Sequence, residues 1–158
     1  MRPGTDSTAV FERLIALPDP AATATLAAAL ARLARPGDVI ALSGDLGAGK
    51  TFLARAFIAE PDVPSPTFTL VQTYDLAQGR VWHFDLYRLQ SPEEVVELDI
   101  EDAFADGISL IEWPDRLGPF LPAERLDVEL AFGPTPDARV ARLVGRGSWA
   151  ARLAEIRP

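Results

Sequence analysis

Leu26, Leu30 and Leu33 recur at i, i+4 and i+7, the spacing that lays one apolar stripe along a helix. Asp19 supplies an N-cap and Pro20 a first-turn proline, so this helix is expected to run to about Ala34. Residues 1–18 read as irregular, with a short strand around Val10 to Ile15. After the turn Pro36-Gly37-Asp38, Val39 to Leu42 is a continuous apolar run of the kind buried on both faces of a parallel sheet. It enters a glycine-rich loop, and a second helix is expected from Lys50 to about Ala59.

Pro61, Pro64 and Pro66 then mark a loop. From Thr67 to Tyr74, and again from Arg80 to Tyr87, side chains alternate with period two. In the second run Trp82, Phe84 and Leu86 oppose His83, Asp85 and Tyr87. With Ala77-Gln78-Gly79 between them, the two runs predict a β-hairpin. Ser91-Pro92-Glu93-Glu94 is a capping box with proline at the first helical position, predicting one helix toward Phe104. Ile108 to Ile111 is another buried strand, closed by Glu112. Arg125 to Phe132 and Arg139 to Val144 read as strands, and Ser148 opens a short helix. Strand and helix signals interleaved in this way predict an α/β class. Residues 1–158 are expected to form a single P-loop NTPase-like domain, with a mixed, partly parallel sheet, flanking helices and a β-hairpin insertion.

Composition narrows the picture. At 158 residues and 48% hydrophobic, the chain suits one core. The net charge of −8 opposes long-range capture of nucleic-acid phosphates, so stable autonomous nucleic-acid binding is not expected. The absence of cysteine excludes disulfides, thiolate metal sites and Cys nucleophiles. Ala21 to Leu33 is the longest apolar stretch, but it is alanine-rich, interrupted by Thr23, Thr25 and Arg32, and too short to span a bilayer. No membrane association and a cytoplasmic location are expected.

Gly44-Asp45-Leu46-Gly47-Ala48-Gly49-Lys50-Thr51 matches G-x-x-x-x-G-K-[ST] in full and sits between a strand and a helix. In such a loop, successive backbone N–H groups and the helix N-terminus wrap a phosphate. Lys50 would reach the β- and γ-phosphates and the Thr51 hydroxyl would ligate magnesium. Lys50 is also the only lysine among 15 Lys and Arg residues. A compact ammonium fits between phosphate oxygens where a planar guanidinium does not. The Asn-Lys-x-Asp signature that specifies guanine has no place here, because the chain has no Asn and no second Lys. ATP with Mg2+ is the expected ligand.

Magnesium also wants a carboxylate at the end of a neighbouring strand. Glu112 closes an apolar strand, at the ligand-facing edge of a parallel sheet. Asp85, in the middle of a polar strand face with His83 and Tyr87, is the other candidate, better placed to orient a water or a partner group. His83, the single histidine, is either catalytic or a hydrogen-bonded structural residue. Arg88 is either a phosphate contact or half of a structural ion pair. Thr67 could approach the γ-phosphate as a switch threonine, or serve the hairpin start through its β-propensity. The acids Glu93, Glu94, Glu97, Asp99, Glu101 and Asp102 read as a solvated helix face, with docking of a basic partner the sharper alternative.

Four segments together resemble the TsaE (YjeE) ATPases: the loop from Gly44 to Thr51, Ser65-Pro66-Thr67-Phe68-Thr69-Leu70, His83-Phe84-Asp85-Leu86-Tyr87-Arg88-Leu89, and Ile111-Glu112-Trp113-Pro114. The resemblance covers about residues 10 to 145. It implies a bacterial accessory ATPase of tRNA threonylcarbamoyladenosine synthesis. Such a protein hydrolyses ATP weakly and works with a threonylcarbamoyl-transferase subunit and its paralogous partner. By the same resemblance Thr51 and Glu112 would be magnesium ligands, Leu46 to Thr51 would line the triphosphate, and Asp85 with Lys50 would be catalytic. Thr23 and Arg139 fall where the family closes over the base. The family's usual glycine before the acidic helix is Asp99 here, and its usual aromatic before Phe104 is Ala103. Two other readings share these features: a small-molecule kinase, and a non-hydrolysing nucleotide-gated adaptor. The kinase would need an arginine-bearing lid, and no such segment stands out. The adaptor would keep Lys50 but could dispense with Asp85.

Overall fold

The apolar runs of the sequence become the middle of a seven-stranded mixed sheet in the computed structural model, which describes residues 9–60 and 70–156. In chain order the strands are β1 (Val10–Leu17), β2 (Val39–Ser43), β3 (Val71–Leu76), β4 (Gly79–Asp85), β5 (Ile108–Glu112), β6 (Leu126–Phe132) and β7 (Arg139–Arg146). The helices are α1 (Pro20–Leu33), α2 (Lys50–Ile58), α3 (Ile100–Asp106) and α4 (Ser148–Leu153). Across the sheet the order is β1-β7-β6-β2-β5-β4-β3. The four central strands β6, β2, β5 and β4 are mutually parallel, and the outer pairings are antiparallel.

Both faces of the central strands are covered. Ile40, Leu42 and Leu110 pack with Leu26 and Leu30 of α1, Leu53 and Phe57 of α2 and Trp149 of α4. Val39 and Ile111 turn the other way, onto Phe84, Val95, Ile100 and Leu117. This two-sided burial is why Val39 to Leu42 reads as an unbroken apolar run, and Ile108 to Ile111 as one interrupted only by the buried Ser109, rather than as alternations. The α1 prediction holds at its cap, where Asp19 accepts from the Ala22 N–H at 2.9 Å.

The segment expected as one helix toward Phe104 is two. Pro92–Leu98 is a 3₁₀ segment, and α3 follows after Asp99, whose φ of 60° and ψ of 34° are left-handed. In an unbroken α-helix Val95 and Ile100 would point about 140° apart. The reversal at Asp99 lets both enter the same core. Aspartate is among the few residues besides glycine that visit this conformation readily. All six acids of this region are exposed.

The hairpin is present, with Leu76 opposite Gly79 across a tight turn, and β4 joins it to the main sheet by pairing parallel with β5. Asp85 departs from the sequence expectation. It is the last residue of β4 and is buried, rather than mid-strand on a polar face. The chain leaves the ladder at the next residue, where the Leu86 N–H donates to the Glu112 carbonyl at 3.1 Å. Among the described residues no helix is long and apolar enough to cross a membrane.

One buried ion pair ties α4 to the turn between α1 and β2. Arg152 donates to both Asp38 carboxylate oxygens, at 2.6 and 2.8 Å, and to the Leu33 carbonyl, while its guanidinium lies 3.9 Å from the Trp149 ring centroid. Removing one partner of such a pair strands a buried charge. Asp38→Ala is therefore expected to cost about 3 kcal/mol, seen as a lower urea midpoint with an unchanged slope.

Candidate functional site

β2 ends at Ser43, and the chain reverses through Gly44, Gly47 and Gly49 before α2 begins at Lys50. Gly44 has φ of 147°, and a Cβ there would meet the Leu130 carbonyl oxygen at 2.5 Å, so neither torsion nor space admits a side chain. Gly49 is the left-handed N-cap of α2 and offers no capping side chain. The first amides of the helix are thus left to whatever occupies the loop.

That loop borders a cleft of about 380 Å³, lined among others by Leu46, Gly47, Gly49, Lys50, Thr51, Asp85, Arg88 and Glu112. The parallel register sets Asp85 of β4 directly beside Glu112 of β5. Of the two acids it is Glu112 that Thr51 engages: the hydroxyl donates to Oε1 at 2.8 Å. On its other oxygen, Glu112 Oε2 lies 2.7 Å from Nε2 of the fully buried His83. Glu112 itself is only 2% exposed. Asp85 Oδ1 accepts from the Tyr87 N–H at 3.2 Å.

Lys50 is 5% exposed, and its ammonium donates to the Gly44 and Asp45 carbonyls. It also lies 4.2 Å from the Trp113 ring centroid, with Tyr87 packed on that indole at 5.0 Å. Burial lowers the Lys50 pKa, and the carboxylates of Glu112, Asp85 and Asp45 pull it back up. The ammonium is held among acids and carbonyls, ready to exchange weak acceptors for stronger anionic ones.

The remaining predicted residues are distributed around this cleft. Gly44 and Asp45 border not this cleft but a separate cavity of about 420 Å³ on the β6–β7 side, and Ala48 is buried in the core. Arg139 grips the outside of the loop, donating to the Ala48 carbonyl at 3.1 Å and to the Gly47 carbonyl at 3.3 Å, beside the Phe132 ring. It does not line the cleft. Neither does Thr23, which is buried on α1. Thr67 lies outside the described residues. Another cavity, of about 630 Å³, sits between α1, β1 and Ile156, away from the loop, with a mixed lining that includes Ile15, Leu26, Arg32 and Glu155.

Two contacts were not singled out from the sequence. Trp113 over Lys50 adopts φ of 62°, a costly conformation for so bulky a residue. Its place between a strand-end acid and a proline is the signal that could have drawn notice. His83 was noted as the single histidine, but its contact with Glu112 needed the sheet register.

Among the described residues no cluster of three or more His, Cys, Asp or Glu could hold a metal unaided. Thr51 and Glu112 nonetheless form a pair of hard oxygen donors at the cleft. That set suits a magnesium ion whose other ligands are waters and phosphate oxygens.

A family model described as threonylcarbamoyl adenosine biosynthesis protein TsaE matches residues 17–139. The tRNA threonylcarbamoyladenosine biosynthesis protein TsaE of Rickettsia felis is 42% identical over 113 residues, covering 68% of this chain and 66% of that protein. The match thus spans slightly under two thirds of that relative's length. The protein of the same name from Bacillus subtilis is 37% identical over 114 residues, covering 70% of this chain and 72% of its own. Among solved structures, that of YdiB from Bacillus subtilis superposes with a TM-score of 0.73 at 28% identity, over 94% of this chain and 96% of that one.

Gly44→Ala tests the loop geometry without any ligand. The added methyl must displace the Leu130 carbonyl or the loop, so a loss of about 1–3 kcal/mol is expected in chemical denaturation. An unchanged midpoint would show that the loop can rearrange at no cost.

Proposed function

Because the chain belongs to the TsaE family of threonylcarbamoyl adenosine biosynthesis proteins, we propose that it binds ATP with magnesium and hydrolyses it weakly, as an accessory protein in threonylcarbamoyladenosine modification of tRNA. The observation that carries this reading is the Thr51–Glu112 hydrogen bond at the mouth of a complete phosphate loop. It brings together the two oxygen donors that a nucleotide-bound magnesium asks of a protein.

Each residue then has a distinct task. The loop amides from Leu46 to Thr51 bind phosphate, and Lys50 moves its hydrogen bonds from the Gly44 and Asp45 carbonyls to β- and γ-phosphate oxygens. Thr51 and Glu112 would hold magnesium, which would supply positive charge against that of the phosphates. Asp85, buried beside Glu112, would orient the attacking water. Arg139 and Thr23 belong to the base side of the site in this proposal, and Thr67 to its γ-phosphate side.

The partners in this reading are the threonylcarbamoyl-transferase subunit and its paralog, in the cytoplasm. A chain of net charge −8 is a poor tRNA ligand by itself, so the substrate RNA would be held by the partners.

MgATP is expected to raise the melting temperature and GTP to do so poorly. A ligand at a hundred times its dissociation constant adds about 2.7 kcal/mol of stability. Equal shifts with ATP and GTP at matched concentration would remove the base selectivity. Glu112 and Asp85 should separate by function. Glu112→Gln is expected to weaken magnesium-dependent ATP binding. Asp85→Asn should leave binding largely intact and lower partner-stimulated turnover by about a hundredfold. Nucleotide titrations with and without magnesium, alongside phosphate release, read both; the reverse pattern would exchange the two roles.

A further inference from the structure

We infer that His83 is a positioning residue for the Glu112 carboxylate, fixing the orientation in which that carboxylate and Thr51 together receive magnesium. The inference rests on the MgATP reading above and extends it to a residue that touches neither nucleotide nor metal.

The Thr51 hydroxyl faces both Glu112 oxygens from the cleft, at 2.8 Å from Oε1 and 3.1 Å from Oε2, and Oε2 also meets His83, which is fully buried behind it. An ionised carboxylate only accepts hydrogen bonds, so His83 Nε2 carries the proton and donates. The other ring nitrogen, Nδ1, is buried with no hydrogen-bond partner among the described residues. Among the described residues, the contact with Glu112 is therefore the hydrogen bond that this ring makes. An apolar side chain would fill a strand position of this kind without burying an unpaired nitrogen.

Register makes the contact rigid. His83 pairs with Leu110 and Asp85 with Glu112, so His83 and Glu112 stand diagonally on adjacent parallel strands. Both strands are central and clamped by ladder hydrogen bonds, which leaves the carboxylate little freedom to swing. Magnesium tolerates little departure from octahedral geometry. A ligating carboxylate free to rotate would present its oxygen in many directions, and outer hydrogen bonds are what prevent this. When Thr51 gives up its hydrogen bond to Glu112 in order to act as a ligand, the His83 contact remains the carboxylate's anchor.

The test uses the full-length chain, wild type and two variants: His83→Leu, which removes the donor, and His83→Gln, whose amide N–H has similar reach. ATP affinity is measured by calorimetry in EDTA and in excess magnesium. Manganese binding in the presence of ATP is followed by electron paramagnetic resonance. Melting temperatures without nucleotide report folding. His83→Leu is expected to bind ATP in EDTA within about twofold of wild type, yet to lose about 10- to 100-fold of the gain that magnesium confers. His83→Gln should retain most of the gain, and manganese affinity should follow the same order. If His83→Leu does not fold, His83→Phe, which keeps ring volume without the N–H, takes its place. Full magnesium gain in the donor-free variant would overturn the positioning role, as would equal losses in the donor-free and Gln variants. Absence of any magnesium gain in wild type would instead sink the MgATP reading, and this inference with it.

Discussion

A buried carboxylate at the end of β5 organises the site. Glu112 is almost wholly removed from water, and a charge so placed is tolerated only when its oxygens are matched by donors. Those donors come from elements far apart in the chain: Thr51 from the first turn of α2 and His83 from β4. Lys50, one residue before Thr51, adds a favourable charge interaction without direct contact. Satisfying this one group therefore fixes how α2 sits over the sheet and how β4 lies against β5. The phosphate loop, strung between β2 and α2, inherits its position from that arrangement.

The loop is also held from its outer side. Gly44 passes so close to the Leu130 carbonyl that β6 acts as a wall against it. Arg139, reaching across from β7, takes the Gly47 and Ala48 carbonyls. These contacts draw carbonyls of the loop toward its outer side, the side away from the cleft. The three glycine torsions that create this curve cost little because no Cβ is present. The left-handed Trp113 is different. Its strain is accepted where the indole covers the Lys50 ammonium, so the cost of that backbone is tied to the site and not to the core.

Local signals were enough for much of this. The apolar run Val39 to Leu42, the glycines after it and the cap at Asp19 are encoded within a few residues of where they act, and the structure has them as expected. The value of Glu112 was also legible, because an acid that closes an apolar strand lies at the edge where parallel sheets bind ligands. What escaped was non-local. The break at Asp99 serves the joint burial of Val95 and Ile100, which no capping box announces. The His83–Glu112 contact depends on the register of two strands whose pairing no short pattern specifies. Asp85 was misplaced along its strand because the alternation runs on to Tyr87, whereas the ladder stops at Asp85. The grip of Arg139 on the loop joins residues far apart in sequence. Resemblance to a family pointed to that arginine; periodicity did not.

Two acids side by side on parallel strands raise an electrostatic question of their own. Asp85 and Glu112 occupy opposite positions of one ladder, both buried, with Lys50 the buried cation among the cleft's lining residues. Like charges so placed repel, and an arriving triphosphate adds several more negative charges to the same space. Lys50 cannot offset them all, and Arg88 at the exposed rim is more strongly screened. The arrangement therefore favours an anionic ligand that arrives with its own cation over a bare one. It also separates the two carboxylates by chemistry. Thr51 and His83 already hold the oxygens of Glu112 in a fixed direction, as suits a ligand to a metal. Asp85 turns one oxygen to the Tyr87 amide and borders the open cleft. The hydroxyl and imidazole around Glu112 thus give that carboxylate a direction set by two other elements of the fold.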